Sequence, residues 1–178
     1  LYGGIPFCPS ICLYCSFGSH PLERWTKRVE EYLDTLCKEL TFIREQMGAR
    51  KLTTVYIGGG TPTTLEPEQL RRLLSHIQET FDFTSVKEYT VEAGRPDSIT
   101  REKLQVMKEF PVTRISVNPQ TMNQKTLDVI GRKHTVEDTV NIFHMARELE
   151  FDNINMDLII GLPGEGKEEV AHTLQEVE

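Results

Sequence analysis

Cys8-Pro9-Ser10-Ile11-Cys12-Leu13-Tyr14-Cys15 places three of the chain's four cysteines within eight residues. Cysteines used as small core hydrophobes have no reason to crowd one loop, so these thiols share an acceptor. Cys12 and Cys15 lie too close for an ordinary disulfide that closes a long loop, and nothing marks the chain as secreted. A structural zinc site takes four ligands, usually as two close pairs well apart in sequence, and no second pair exists here. His20 is near, but a lone loop histidine is more often solvated than ligating. Soft thiolates in one tight loop suit an iron–sulfur cluster, each taking one iron. C-x3-C-x2-C then gives three ligands, Cys8, Cys12 and Cys15, to a 4Fe–4S cube. The fourth iron stays open to bind and activate a small molecule. The remaining thiol, Cys37, sits among Leu33, Leu36 and Leu40 at helical spacing and reads as an inert core side chain.

Two glycine-rich stretches, Gly58-Gly59-Gly60-Thr61-Pro62-Thr63 and Gly161-Leu162-Pro163-Gly164, each follow a strand-like run. Glycine lets a ligand come against the backbone, because no Cβ blocks the approach. Neither stretch is the dinucleotide G-x-G-x-x-G or a phosphate loop, and alone each is also compatible with a tight βα turn. Polar residues recur at alternate positions of three strand-like runs: Thr90, Glu92 and Gly94; Arg114, Ser116 and Asn118; Asn155, Asp157 and Ile159. Alternate residues of a strand share a face. An unpaired carboxylate buried there is very costly, so these groups need partners. They either form an internal salt-bridge network, for instance Asp157 with Arg114, or line a polar lumen around a charged, hydrogen-bonding ligand. The ion pair is the lesser expectation, since buried pairs add little net stability.

Strand-like and helix-like segments alternate along the whole chain and must position these groups. Strands are predicted over 1–7, 53–57, 87–92, 112–117 and 153–160. Helices are predicted over 24–47, over 67–81 with Pro67 in the first turn, from an Asp97 or Ser98 cap to about 108, from a Thr135 cap, and over 167–178. Short βα turns in this order imply a parallel sheet. Five βα units are too few to close an eight-stranded barrel, so the expected fold is α/β, an open arc of parallel βα barrel. At 178 residues the chain suits one domain, on the rough figure of ~150 residues each. It starts without Met and stops inside a helical pattern, which reads as one core domain, 1–178, of a longer protein. A net charge of −7 with scattered basic residues argues against a nucleic-acid surface. No apolar run approaches the ~20 residues of a membrane span and no signal peptide is visible, so a cytoplasmic location is expected.

The cysteine loop within Gly4-Ile5-Pro6-Phe7-Cys8 resembles that of the radical S-adenosylmethionine enzymes. GGGTPT, VEAGRPD, NPQT and NMDLIIGLPGE resemble the oxygen-independent coproporphyrinogen III oxidase family within them, and most of all its HemZ branch. The resemblance covers essentially the whole chain. It implies that Cys8, Cys12 and Cys15 hold a 4Fe–4S cluster whose fourth iron is chelated by the amino and carboxylate groups of S-adenosylmethionine. An electron from the cluster, delivered by reduced flavodoxin or ferredoxin, would split the sulfonium–C5′ bond and give a hydrogen-abstracting radical. By the same resemblance, the backbone of Gly59 and Gly60 with Thr61 receives the methionine amino end and Glu92 hydrogen-bonds the cofactor. Arg132 pairs with its carboxylate, and Gln120 and Asp157 take the ribose hydroxyls. Tyr2 and Tyr14 correspond to family aromatics near the cluster. The implied substrate is a porphyrinogen, coproporphyrinogen III, decarboxylated oxidatively to protoporphyrinogen IX. Phe17 stands where members with porphyrinogen activity often carry a further cysteine, and Gly4 near where they often carry histidine. Phe17 is shared with relatives that act as haem-binding chaperones, so haem is the alternative ligand.

Overall fold

A computed structural model of the chain describes residues 1–18 and 20–178. The expected first strand is divided at Pro6 into β1 (Tyr2–Ile5) and the two-residue β2 (Phe7–Cys8). Proline has no N–H for a ladder, and the chain turns there to a different partner. β2 pairs in parallel with β3 (His20–Pro21), so the cysteine loop is pinned at both ends.

α1 (Leu22–Trp25) and a 3-10 turn, Thr26–Arg28, precede α2 (Val29–Met47). The single helix expected over 24–47 is thus interrupted. The Thr26 hydroxyl donates back to the Leu22 carbonyl at 2.8 Å, a local bond that competes with helix propagation. α2 then buries Val29, Leu33, Leu36 and Leu40 along one face, together with Cys37. The expected inert role of Cys37 agrees with this position.

β4 (Thr54–Gly59), α3 (Pro67–Thr80), β5 (Glu88–Gly94), α4 (Arg101–Lys108) and β6 (Arg114–Val117) follow. α4 begins later than the sequence suggests. Thr100 is its cap, accepting from the Lys103 N–H, while Asp97 and Ser98 lie in a separate 3-10 turn, Pro96–Ser98. α5 (Gln124–Val129) is a short helix the sequence reading does not anticipate. α6 (Val136–Glu148) starts at Thr135 with the expected reciprocal cap to Asp138. β7 is confined to Ile154–Asn155, and α7 (Lys167–Val177) closes the described chain. The longer strand expected over 153–160 breaks because pairing resumes only as an isolated bridge between Leu158 and Gln120. Gln120 itself has φ +70°, which no regular strand tolerates.

β1, β4, β5, β6 and β7 form one sheet in the order β1-β4-β5-β6-β7, every pair parallel. Val55, Ile57, Tyr89, Val91, Ala93, Ile115 and Val117 are buried on its outer face against α2, α3 and α4. Each fully buried aliphatic side chain contributes about 1.5–3 kcal/mol, so this layer can stabilise a fold whose inner face is polar. On that inner face Arg114 pairs with Glu88 at 3.4 Å and donates to Asn155 at 2.8 Å. The ion pair of Arg114 with Asp157, considered from the sequence, does not form. Asn155 instead donates to Asp157 at 2.8 Å, and Asp157 is exposed at the edge of the arc. No described helix is long and apolar enough to cross a membrane.

Candidate functional site

The loops that leave β4, β5 and β6 meet the cysteine loop around a cavity of about 390 Å³. Cys8, Cys12 and Cys15 line it beside Gly59, Gly60 and Thr61. Glu92, Gln120, Arg132 and Asp157 line it too. Ten residues from six separate stretches of sequence, all expected at a binding site, therefore share one cleft.

The glycine turn is built to lie against the Cys8 thiol. Gly60 N–H donates to the Ile5 carbonyl at 2.7 Å and Thr61 N–H to the Phe7 carbonyl at 2.8 Å. A Cβ on Gly60 would come to 2.7 Å from the Phe7 oxygen and 3.0 Å from the Cys8 sulfur. Gly59 has φ +104°, open only to glycine at low cost. The Thr61 hydroxyl donates to Cys8 Sγ at 3.6 Å. Burial pushes the Cys8 thiol up, while this hydrogen bond and the Arg95 charge act against it.

Arg95 approaches a second thiol, its Nη1 donating to Cys12 Sγ at 3.5 Å. Tyr14, between Cys12 and Cys15 in sequence, accepts from Nε and Nη2 of Arg132 at 3.2 and 2.8 Å. Burial pushes the Tyr14 phenol up to about 12 despite that cation, so the phenol stays protonated. Among the described residues Nη1 of Arg132 is buried and has no hydrogen-bond partner. A buried donor left open is costly, and it is suited to an anionic oxygen brought by a ligand.

Glu92 lies deep in the cleft and accepts from the Tyr56 hydroxyl at 3.3 Å. Burial raises its carboxyl above the ordinary range, and the nearby Asp157 charge adds to the effect. Gln120 is held in its left-handed conformation by donating its N–H to Asp157 O at 3.0 Å and accepting from Ile159 N–H at 2.9 Å. A non-glycine residue kept at positive φ costs about 1–3 kcal/mol, and such strain gathers at ligand sites. Asn118 completes the rim by accepting from the Asp157 N–H at 3.2 Å.

The donor set fits an iron–sulfur cluster with a charged co-ligand. Three thiols edge one cleft, two of them receive polar donors, and one guanidinium nitrogen waits unpartnered. Among the described residues no three His, Cys, Asp or Glu side chains converge on a single ion. A cube presents a different iron to each thiolate, so its ligands surround a volume rather than a point.

Tyr2 lies outside this cleft. It lines an adjoining cavity of about 570 Å³, stacks on Tyr56 at 5.9 Å, and shares Phe17, Gly59, Gly60 and Glu92 with the first cavity as a common wall. Asn118 was expected from the sequence only as one of the polar positions facing the lumen, and Arg95 was not expected at the site. The available signal for Arg95 was an Arg-Pro-Asp turn at the end of a parallel strand, where charged groups rarely serve packing.

Residues 3–177 match the family model described as the Radical SAM superfamily. The chain is 46% identical over its whole length to the oxygen-independent coproporphyrinogen-III oxidase-like protein HemZ of Bacillus subtilis, covering 36% of that protein. It is 40% identical, over 97% of its length, to the heme chaperone HemW of the same organism, covering 45% of it. The solved structure of the coproporphyrinogen III oxidase HemN from Escherichia coli, a radical SAM enzyme, superposes with a TM-score of 0.89 at 31% identity. That match covers 99% of this chain and 40% of the enzyme. The chain thus spans less than half the length of these relatives.

Proposed function

The chain belongs to the radical SAM superfamily, whose members use a 4Fe–4S cluster and S-adenosylmethionine, and we propose that its cleft binds both and acts on a porphyrinogen. Cys8, Cys12 and Cys15 would hold three irons of the cluster. Gly59, Gly60 and Thr61 would receive the methionine amino end and Arg132 its carboxylate, with Glu92, Gln120 and Asp157 on the remaining polar groups. When bound, the two cofactors supply an electron, drawn from reduced flavodoxin or ferredoxin, and a carbon radical that abstracts hydrogen. The protein's part is to bind, align and exclude water. The reaction proposed is oxidative decarboxylation of coproporphyrinogen III to protoporphyrinogen IX, two propionates becoming vinyl groups with release of carbon dioxide.

The observation that supports the cofactor reading is the single cleft shared by three thiols and seven polar or glycine positions. The substrate rests on the likeness to the coproporphyrinogen III oxidases. The relative named as a heme chaperone supports a second reading, in which the cleft keeps its cofactors and the protein carries haem. Full-length protein incubated anaerobically with reductant, S-adenosylmethionine and coproporphyrinogen III separates them. Vinyl products together with 5′-deoxyadenosine are expected. Deoxyadenosine without vinyl product, with tight haem binding, supports the chaperone. No deoxyadenosine under strong reductant, from protein that carries its cluster, sinks the radical reading.

A further inference from the structure

We infer that Arg95 is a positioning residue for the cluster: through its hydrogen bond to Cys12 it raises the cluster's reduction potential and fixes the cysteine loop. The inference rests on the cluster reading above. Arg95 is only 4% exposed and belongs to the loop after β5, far from the cysteines in sequence. Its guanidinium is divided between two tasks. Nε and Nη2 donate to the two carboxylate oxygens of Asp97 at 2.9 and 2.6 Å. Nη1 is thereby turned toward the cysteine loop, where it donates to the Ser10 carbonyl at 3.0 Å, the Ser10 hydroxyl at 2.9 Å and Cys12 Sγ at 3.5 Å.

The charge of Arg95 is largely balanced by Asp97, so the hydrogen bond to sulfur carries the effect. A donor on a ligating thiolate draws electron density from sulfur and thus from its iron, which favours the reduced cluster. Lysine cannot reproduce the arrangement, because a point charge lacks the planar fork that grips Asp97 while leaving a third nitrogen free. The second donor, Thr61 on Cys8, comes from the loop after β4, so two neighbouring βα loops each address one ligand sulfur.

The test is the midpoint potential of the protein after anaerobic reconstitution, followed by electron paramagnetic resonance during potentiometry. Arg95→Gln is expected to bind as much iron and sulfide as wild type and to shift the potential to more negative values. Ser10→Ala, which removes a loop contact and leaves the sulfur donor, is expected to keep the wild-type potential. Arg95→Lys keeps the positive charge beside Asp97 but lacks the fork that aims a third nitrogen at Cys12, and should shift the potential in the same direction by less. It serves as the deciding variant if Arg95→Gln does not hold a cluster. A wild-type potential in both Arg95→Gln and Arg95→Lys, or in Arg95→Lys where only that variant is loaded, overturns the inference. Failure of the wild type itself to assemble a cluster would instead overturn the cofactor reading beneath it.

Discussion

Arg132 is gripped on one side and open on the other. Tyr14 holds Nε and Nη2, and Nη1 is buried without a partner among the described residues. Across the cleft Asp157 is fixed by Asn155 and Asn118, with exposed carboxylate capacity left over. Arg132→Ala and Asp157→Ala should each weaken S-adenosylmethionine binding by about ten- to a hundredfold, the equivalent of ~1.5–3 kcal/mol for a hydrogen bond to a charged group. Both variants should keep wild-type iron and sulfide. Anaerobic titration calorimetry checks it, and wild-type affinity in both would return these residues to a purely structural role. The cysteines were legible in the sequence because their meaning lies in spacing along eight residues. Arg95 was not, because its partners Ser10 and Cys12 are 85 and 83 residues away and only the fold brings them together.

The loops after β4 and β5 are joined by an element-level lock. Lys103, on α4 and buried, donates from Nζ to the Thr63 carbonyl at 2.6 Å and the Ser98 carbonyl at 3.1 Å. Thr63 in turn donates to the Ala93 carbonyl at 2.6 Å, and Ser98 to the Arg95 carbonyl at 2.8 Å. Burial lowers the Lys103 ammonium below its ordinary range, a cost offset by the carbonyls it satisfies. Lys103→Met should therefore cost on the order of 3 kcal/mol, since each buried carbonyl left unsatisfied costs about 1–3 kcal/mol. The loss would be read as a lower urea midpoint with an unchanged slope. An unchanged midpoint would show that the two loops hold without it. At this scale helices were the legible part: the Thr135 cap and the apolar faces of α2 and α3 follow from local pattern. The shortness of the fifth strand and the presence of α5 were not, because alternation alone does not encode the backbone bonds by which Gln120 donates to Asp157 and accepts from Ile159.

For the whole molecule the polar interior makes stability depend on pH in a defined window. His134 is 1% exposed, has no hydrogen-bond partner on either ring nitrogen among the described residues, and burial with the nearby Arg132 charge pushes it down to about 4. The unfolded imidazole, with a pKa near 6.5, binds its proton first as pH falls. Stability present above about 6.5 is thus lost progressively toward pH 4, by up to about 3 kcal/mol. Glu92 works in the opposite sense: with its carboxyl raised, it contributes most below the ordinary carboxylate range, and that contribution fades as pH rises through its folded value. Urea midpoints measured across pH should fall steeply between 6.5 and 4 in wild type and less steeply in His134→Leu. Parallel profiles would mean that the histidine is not the group responsible. The open arc and its polar inner face were legible from element count and alternation, whereas an unpartnered buried histidine can be recognised only in three dimensions. The bond from Arg132 to Tyr14 has one further consequence. Tyr14 sits inside the cysteine loop and Arg132 lines the same cleft, so if the two cofactors bind as proposed their occupancies would be thermodynamically linked. Whatever factor an assembled loop adds to the affinity for S-adenosylmethionine is, by reciprocity, the factor by which that cofactor resists loss of iron.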